Sequence, residues 1–243
     1  RQRQMCIRDR ALGDREAAMA DCETAVRLRP DWAPALQARG ELLLEAGRVQ
    51  EALADLERAF AAAPRVYSLR LLRASALLAS NRAAQAEAAL DEALKVRPDN
   101  AQAFSLRGQA RLALGRFAEA ASDLDEALRL DPANLAALMH RAAARLKAGQ
   151  PAAAAQDYHL LLERNPSGSE AWKGLGEALC AQGRMNEGLA AYQNYLSHHP
   201  GDLDLRLRVA RLLYASPAAP WHDPNAPSGW SGRPSVRRRI GSK

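Results

Sequence analysis

Six prolines, Pro30, Pro64, Pro98, Pro132, Pro166 and Pro200, stand 34 residues apart with no insertion or deletion. A fixed period of this size marks a repeat array, in which each unit is one supersecondary element packed mainly on its neighbours. A small-residue code travels with the prolines. Seventeen residues before them stand Gly13, Gly47, Asn81, Gly115, Gly149 and Gly183. Twelve before them stand Ala18, Ala52, Ala86, Ala120, Ala154 and Gly188. The register divides the chain into residues 1–10, an array over 11–214 and a tail over 215–243. Full units cover 33–66, 67–100, 101–134, 135–168 and 169–202. Residues 11–32 hold the second half of a partial unit, and 203–214 read as one more helix that caps the end.

Within unit 101–134, Phe104, Gly108, Arg111, Leu112 and Leu114 suit one face of a first helix. Ala120, Leu124, Ala127 and Leu128 mark a second amphipathic helix. Gly115 supplies the left-handed residue that ends the first helix, and Asn81 does the same in its own unit. The proline closes the second helix, and Asp99, Asn100, Asn134 and Ser169 are the candidates to cap the next one. Gly40, Ala74, Gly108, Ala142 and Gly176, twenty-four residues before each proline, predict a close helix–helix seam against the alanines of the second helix. The fold class is therefore all-α, a solenoid of tandem helix-turn-helix units.

These offsets resemble the tetratricopeptide repeat. Unit 169–202 carries the fullest match, in Trp172, Leu175, Gly176, Leu179, Gly183, Tyr192 and Pro200. The resemblance implies a right-handed superhelix whose first helices line a concave groove for peptides or partner helices, with no catalytic residues. It places Gln37, Glu41, Leu44, Leu71, Ser75, Leu78, Ser105, Gln109, Leu112, Met139, Ala143, Leu146, Lys173 and Glu177 on or near that groove. Leu44, Leu78, Leu112 and Leu146 form a ladder broken by Cys180. Either these leucines pack helix to helix, or they offer an apolar strip to a partner. The Lys/Asn set with which some family members clamp a C-terminal carboxylate is missing from these positions.

Two departures from the family pattern stand out. Arg39, Arg73, Arg107 and Arg141 replace the more usual leucine, and Asp55, Asp123 and Asp157 follow three of them at sixteen residues. Ala89 breaks the series, and where Leu175 replaces the arginine, Ala191 replaces the acid. This predicts an Arg–Asp pair bridging the two helices of a unit; the alternative is solvated surface charge. Leu161 and Tyr195 also stand where earlier units have Ala25, Ala59, Ala93 and Ala127. That predicts looser or re-angled packing in the last two units.

The formal charge is +6, but residues 1–10 carry +3 and 215–243 carry +4, which leaves the array near −1. A basic stripe for nucleic acid is absent from the repeat body. Cys6, Cys22 and Cys180 have no metal or disulfide spacing. No apolar run reaches the ~20 residues of a membrane span. P-loop, G-x-S-x-G, H-E-x-x-H and G-x-G-x-x-G motifs are missing, so neither cofactor nor catalysis is expected within the array. His198 and His199 are adjacent on one helix and point apart, which suits exposure better than metal binding. Residues 1–10 read as a non-native or disordered segment, and the Pro/Gly/Arg-rich tail as a flexible end or linker. Beginning in mid-repeat, the chain reads as a fragment whose open ends allow self-association. The functional reading is a protein-interaction scaffold of bacterial-like composition. The alternative is the substrate-recruiting arm of a larger glycosyl- or sulfo-transferase. The compartment is left open between cytoplasm and, with an upstream signal, periplasm.

Overall fold

The computed structural model describes residues 15–215; the expectations for residues 1–10, Gly13 and the tail from 216 lie outside the described residues. Twelve helices follow one another there without a strand. They are α1 (Arg15–Leu28), α2 (Ala33–Glu45), α3 (Val49–Ala62), α4 (Tyr67–Ala79), α5 (Ala83–Val96) and α6 (Ala101–Ala113), then α7 (Phe117–Leu130), α8 (Leu135–Lys147), α9 (Pro151–Arg164), α10 (Ser169–Ala181), α11 (Met185–His198) and α12 (Leu203–Ala215). Even-numbered helices are the first of each hairpin and odd-numbered ones the second.

The turns follow from local chemistry. Gly47, Gly115, Gly149 and Gly183 adopt φ of 74–78°, and Asn81 reaches 60°. That left-handed residue lets the chain reverse and close the helix end: the Arg48 N–H donates to the Leu43 carbonyl at 2.8 Å and the Gly47 N–H to Leu44 at 3.0 Å. Second helices stop two residues before each proline, which has no N–H to donate onward. Asn100 and Asn134 cap α6 and α8 by accepting from the Ala103 and Ala137 N–H groups at 2.8 and 2.9 Å. Ser169 does not cap α10. Gly168 occupies that position, and the Ser169 hydroxyl meets His199 Nε2 at 2.8 Å instead.

The seam of small residues lies against the backbone of the second-helix alanines, and the side chain that reaches across it is a leucine or tyrosine. A Cβ on Gly108 would stand 2.7 Å from Leu124 Cγ and 3.2 Å from the Ala120 carbonyl oxygen. Gly40 faces Leu56 in the same way, and Gly176 lies against the Tyr192 ring. In unit 135–168 the seam residue is Ala142, and Tyr158 leans onto the next unit, where a Cβ on Gly174 would come within 2.2 Å of its ring. The larger residues of the last two units, Leu161 and Tyr195, are both buried.

The predicted Arg–Asp pairs form. Arg39 binds Asp55 through Nε and Nη2 at 2.6 and 2.7 Å, and Arg107 and Arg141 bind Asp123 and Asp157 in the same two-pronged way. The three aspartates are buried, each 4% exposed, so these are not solvated surface charges. Hydrogen bonds donated to Asp55 hold the Arg39 guanidinium above its ordinary pKa against the cost of burial. Where Ala89 removes the acid, the Arg73 guanidinium lies 4.6 Å over the Phe60 ring of the preceding unit.

The pairs also run between units. Arg107 reaches back to Asp91 at 2.8 Å, and Arg141 and Arg145 both reach Asp125 at 2.9 Å. Arg111 bridges Glu87 and Asp123, each at 2.9 Å, while Arg145 takes Asp157 at 2.9 Å. Asp55 lacks such a second arginine, because Leu43 stands where Arg111 and Arg145 stand in their units.

The pairs and the seam each set a stability outcome. Arg39→Leu strands a buried carboxylate and is expected to cost about 3–5 kcal/mol, whereas Arg107→Leu costs less because Arg111 still serves Asp123. The double change Arg39→Leu/Asp55→Ala recreates the Leu175/Ala191 seam and recovers most of the loss. Urea unfolding of the three variants measures this, and an unrescued double variant refutes the buried-pair account. Gly174→Ala is expected to destabilise by about 1–3 kcal/mol through overpacking against Tyr158. In a Tyr158→Leu background the penalty should largely vanish; a penalty of equal size in both backgrounds would assign it to the backbone.

Candidate functional site: the inner face of the first helices

Successive first helices touch one another, α2 with α4, α4 with α6, α6 with α8 and α8 with α10, whereas no two second helices do among the described residues. The array therefore bends with the first helices on its inner side, and their remaining free faces make one continuous surface. Three rows of side chains repeat along it at 34-residue spacing.

The row of Leu44, Leu78, Leu112 and Leu146 is half-buried throughout. These leucines rest against the core clusters and keep part of their surface open. Gln37, Met139 and Lys173 are half-buried in a second row, but its other two members are corrected by the structure. Leu71 is packed among Ala74, Leu90, Leu94 and Leu106, and the short Ser105 side chain does not reach the surface; both are buried and present little to a partner. Glu41, Ser75, Gln109, Ala143 and Glu177 form the third row, all half-buried.

Charge is confined to the ends of this face. Gln37 Nε2 donates to Glu41 Oε1 at 3.0 Å in the first unit. Ser75, Gln109 and Ala143 leave the middle of the third row uncharged. In the last unit α12 and the residue before it engage both charged members of these rows: Lys173 Nζ meets Asp202 at 3.2 Å and lies 5.2 Å over the Tyr195 ring, and Glu177 meets Arg208 at 3.2 Å. Asp202 also caps α12, accepting from the Leu205 N–H at 3.0 Å; that bond and Lys173 hold its carboxyl below the usual range. Beside Met139 a depression of about 300 Å³ opens between Leu135, Ala136, His140, Leu161, Asn165 and Ala171. Desolvation lowers the His140 pKa and so favours its neutral imidazole.

Sequence reasoning missed two contributors. Leu207 and Tyr214 of α12 extend two of the rows, 34 residues after Lys173 and Cys180, and the same count would have found them. The cross-unit acids Asp91 and Asp125 stand sixteen residues before their arginines, mirroring the forward spacing. Among the described residues no group of three His, Cys, Asp or Glu side chains is placed to hold a metal ion. None of the described helices is long and apolar enough to cross a membrane.

The sequence matches the family description "Tetratricopeptide repeat" over residues 37–101, 71–134 and 139–202, and again over 10–31. No curated protein matches it. Among solved structures, a thermophilic TPR protein of Thermus thermophilus is 24% identical, with TM-score 0.60 over 75% of this chain and 99% of that one. PilW, a type IV pilus biogenesis factor, is 19% identical, with TM-score 0.75 over 86% and 96%. YrrB, a TPR protein described as having an unusual peptide-binding site, is 16% identical, with TM-score 0.60 over 78% and 97%. At these identities the structures share the fold. The family matches span most of the array in the register of its prolines, and the chain belongs to the tetratricopeptide repeat family, a protein–protein interaction scaffold built from helix hairpins.

Proposed function

We propose that the inner face of the first helices binds a helical or extended segment of another protein, and that the partner's apolar side chains settle on the leucine row. The observation that carries this reading is the row itself. Leu44, Leu78, Leu112 and Leu146 repeat on adjoining first helices and keep exposed surface along one line. An apolar line flanked by Ser75, Gln109 and Ala143 suits a segment whose contacting side chains are aliphatic or aromatic and uncharged, since an unpaired charge buried against leucine is costly. The depression beside Met139 would take one such side chain out of water.

Peptide display against the array, followed by fluorescence anisotropy on the enriched sequences, tests the reading. Leu112→Asp or Leu146→Asp is expected to weaken those peptides by about tenfold or more, the loss of one well-buried apolar contact. A charge at Glu92, on the exposed surface of a second helix, changed by Glu92→Gln, should leave affinity unchanged. Peptides that bind both leucine variants as tightly as the parent would place the binding surface elsewhere.

A further inference from the structure

Helix α12 is apolar on two faces. One face buries Leu205 and Val209 against Leu189, Tyr192 and Tyr195 and so closes the array. The opposite face carries Leu203, Leu207 and Tyr214, exposed by 68, 58 and 62%, with the exposed Ala210 between them. The spacings of four, three and four place these residues in one stripe. Half of the exposed large apolar residues of the described chain lie on this single helix.

We infer that this stripe is a contact between two copies of the chain, α12 against α12 in antiparallel two-fold pairing. The pattern is complementary to its own reverse. With the two-fold axis passing between Arg208 and Val209, Leu203 lies opposite the partner's Tyr214, and Leu207 opposite the partner's Ala210. A two-fold contact requires this: whatever one residue meets must meet it in return. The charges agree with the same register. Asp204 and Arg211 share one flank of the stripe, and neither makes an ion pair among the described residues. At a rise of ~1.5 Å per residue the pairing brings Asp204 within about 3 Å, along the axis, of the partner's Arg211, twice over. On the other flank Arg206 runs beside the partner's Leu213, where its aliphatic stem can cover apolar surface. Stable interfaces bury about 800 Å² per partner, more than one helix face supplies, so the dimer dissociates on dilution. It joins the two arrays at the last members of the inner rows and leaves the row from Leu44 to Leu146 open. The inference is thus independent of what the groove binds.

Sedimentation velocity across a dilution series of the full chain decides the matter, with circular dichroism as the check on folding. The parent is expected to pass from monomer to dimer as concentration rises. Leu207→Asp should remain monomeric with unchanged helicity. Arg211→Asp sets like charges against Asp204 across the contact and should weaken the dimer by about tenfold or more. The exchange Asp204→Arg/Arg211→Asp should bring it back to within about threefold of the parent. A parent monomeric at every concentration overturns the inference. If that monomer sediments with phosphatidylglycerol vesicles, the stripe and its arginines belong to an anionic lipid surface. A dimer that survives Leu207→Asp, or one that the charge exchange fails to restore, overturns the antiparallel α12 contact as well.

Discussion

A helix hairpin of this length has one apolar flank too many to be stable by itself, and the fold depends on how closely its two helices and the next hairpin approach. The approach is set by backbone against side chain. Gly40, Gly108 and Gly176 admit a leucine or tyrosine of the second helix where any Cβ would stand under 3 Å from it. Bulk is balanced across the seam rather than fixed at one position. Tyr192 lies on its own unit's Gly176, whereas Tyr158, from the unit whose seam residue is Ala142, is received by Gly174 of the following unit. Close packing of this kind leaves few voids, which is what dispersion and apolar burial reward.

Into the same seams the chain sets buried ion pairs. Such a pair is no gain in stability against a well-packed apolar alternative, and this chain contains both: Arg39 with Asp55 in one unit, Leu175 with Ala191 in another. What the pairs do impose is order. An Asp55 set against a first helix lacking its arginine would be a buried, unpaired charge, so a second helix that docks on the first helix of such a unit meets a penalty that an all-leucine array would not. The contacts from Arg107 to Asp91 and from Arg141 to Asp125 extend that constraint from the hairpin to its neighbour.

How much of this is legible in the sequence depends on how local the cause is. The helix ends are legible because a left-handed Gly or Asn and a proline act within a few residues. So are the Arg–Asp pairs, since a constant offset of sixteen means one constant place in every hairpin. Ser169 misleads as a cap because the helix begins at it and Gly168 takes the capping position. Leu71 and Ser105 mislead as groove residues because their exposure is decided by what the adjoining first helices place around them, and a register cannot count that. The alanines of the second helix lie at the seam, and the side chain that reaches across is the leucine or tyrosine one turn on.

The distribution of charge decides what kind of surface remains. The array is near neutral, yet it is rich in arginine, and the difference lies in where the arginines are held. Arg39, Arg107, Arg111, Arg141 and Arg145 are drawn into carboxylates between helices, and Arg48, Arg116 and Arg184 each clasp a glutamate three residues on at the start of a second helix. None of these arginines stands in the three rows of the inner face. The inner face keeps its apolar row and an uncharged middle, and the binding proposed for it would rest on shape and apolar burial rather than on electrostatic steering. Binding governed in that way varies little with salt, because no counterions are released when the surface is covered.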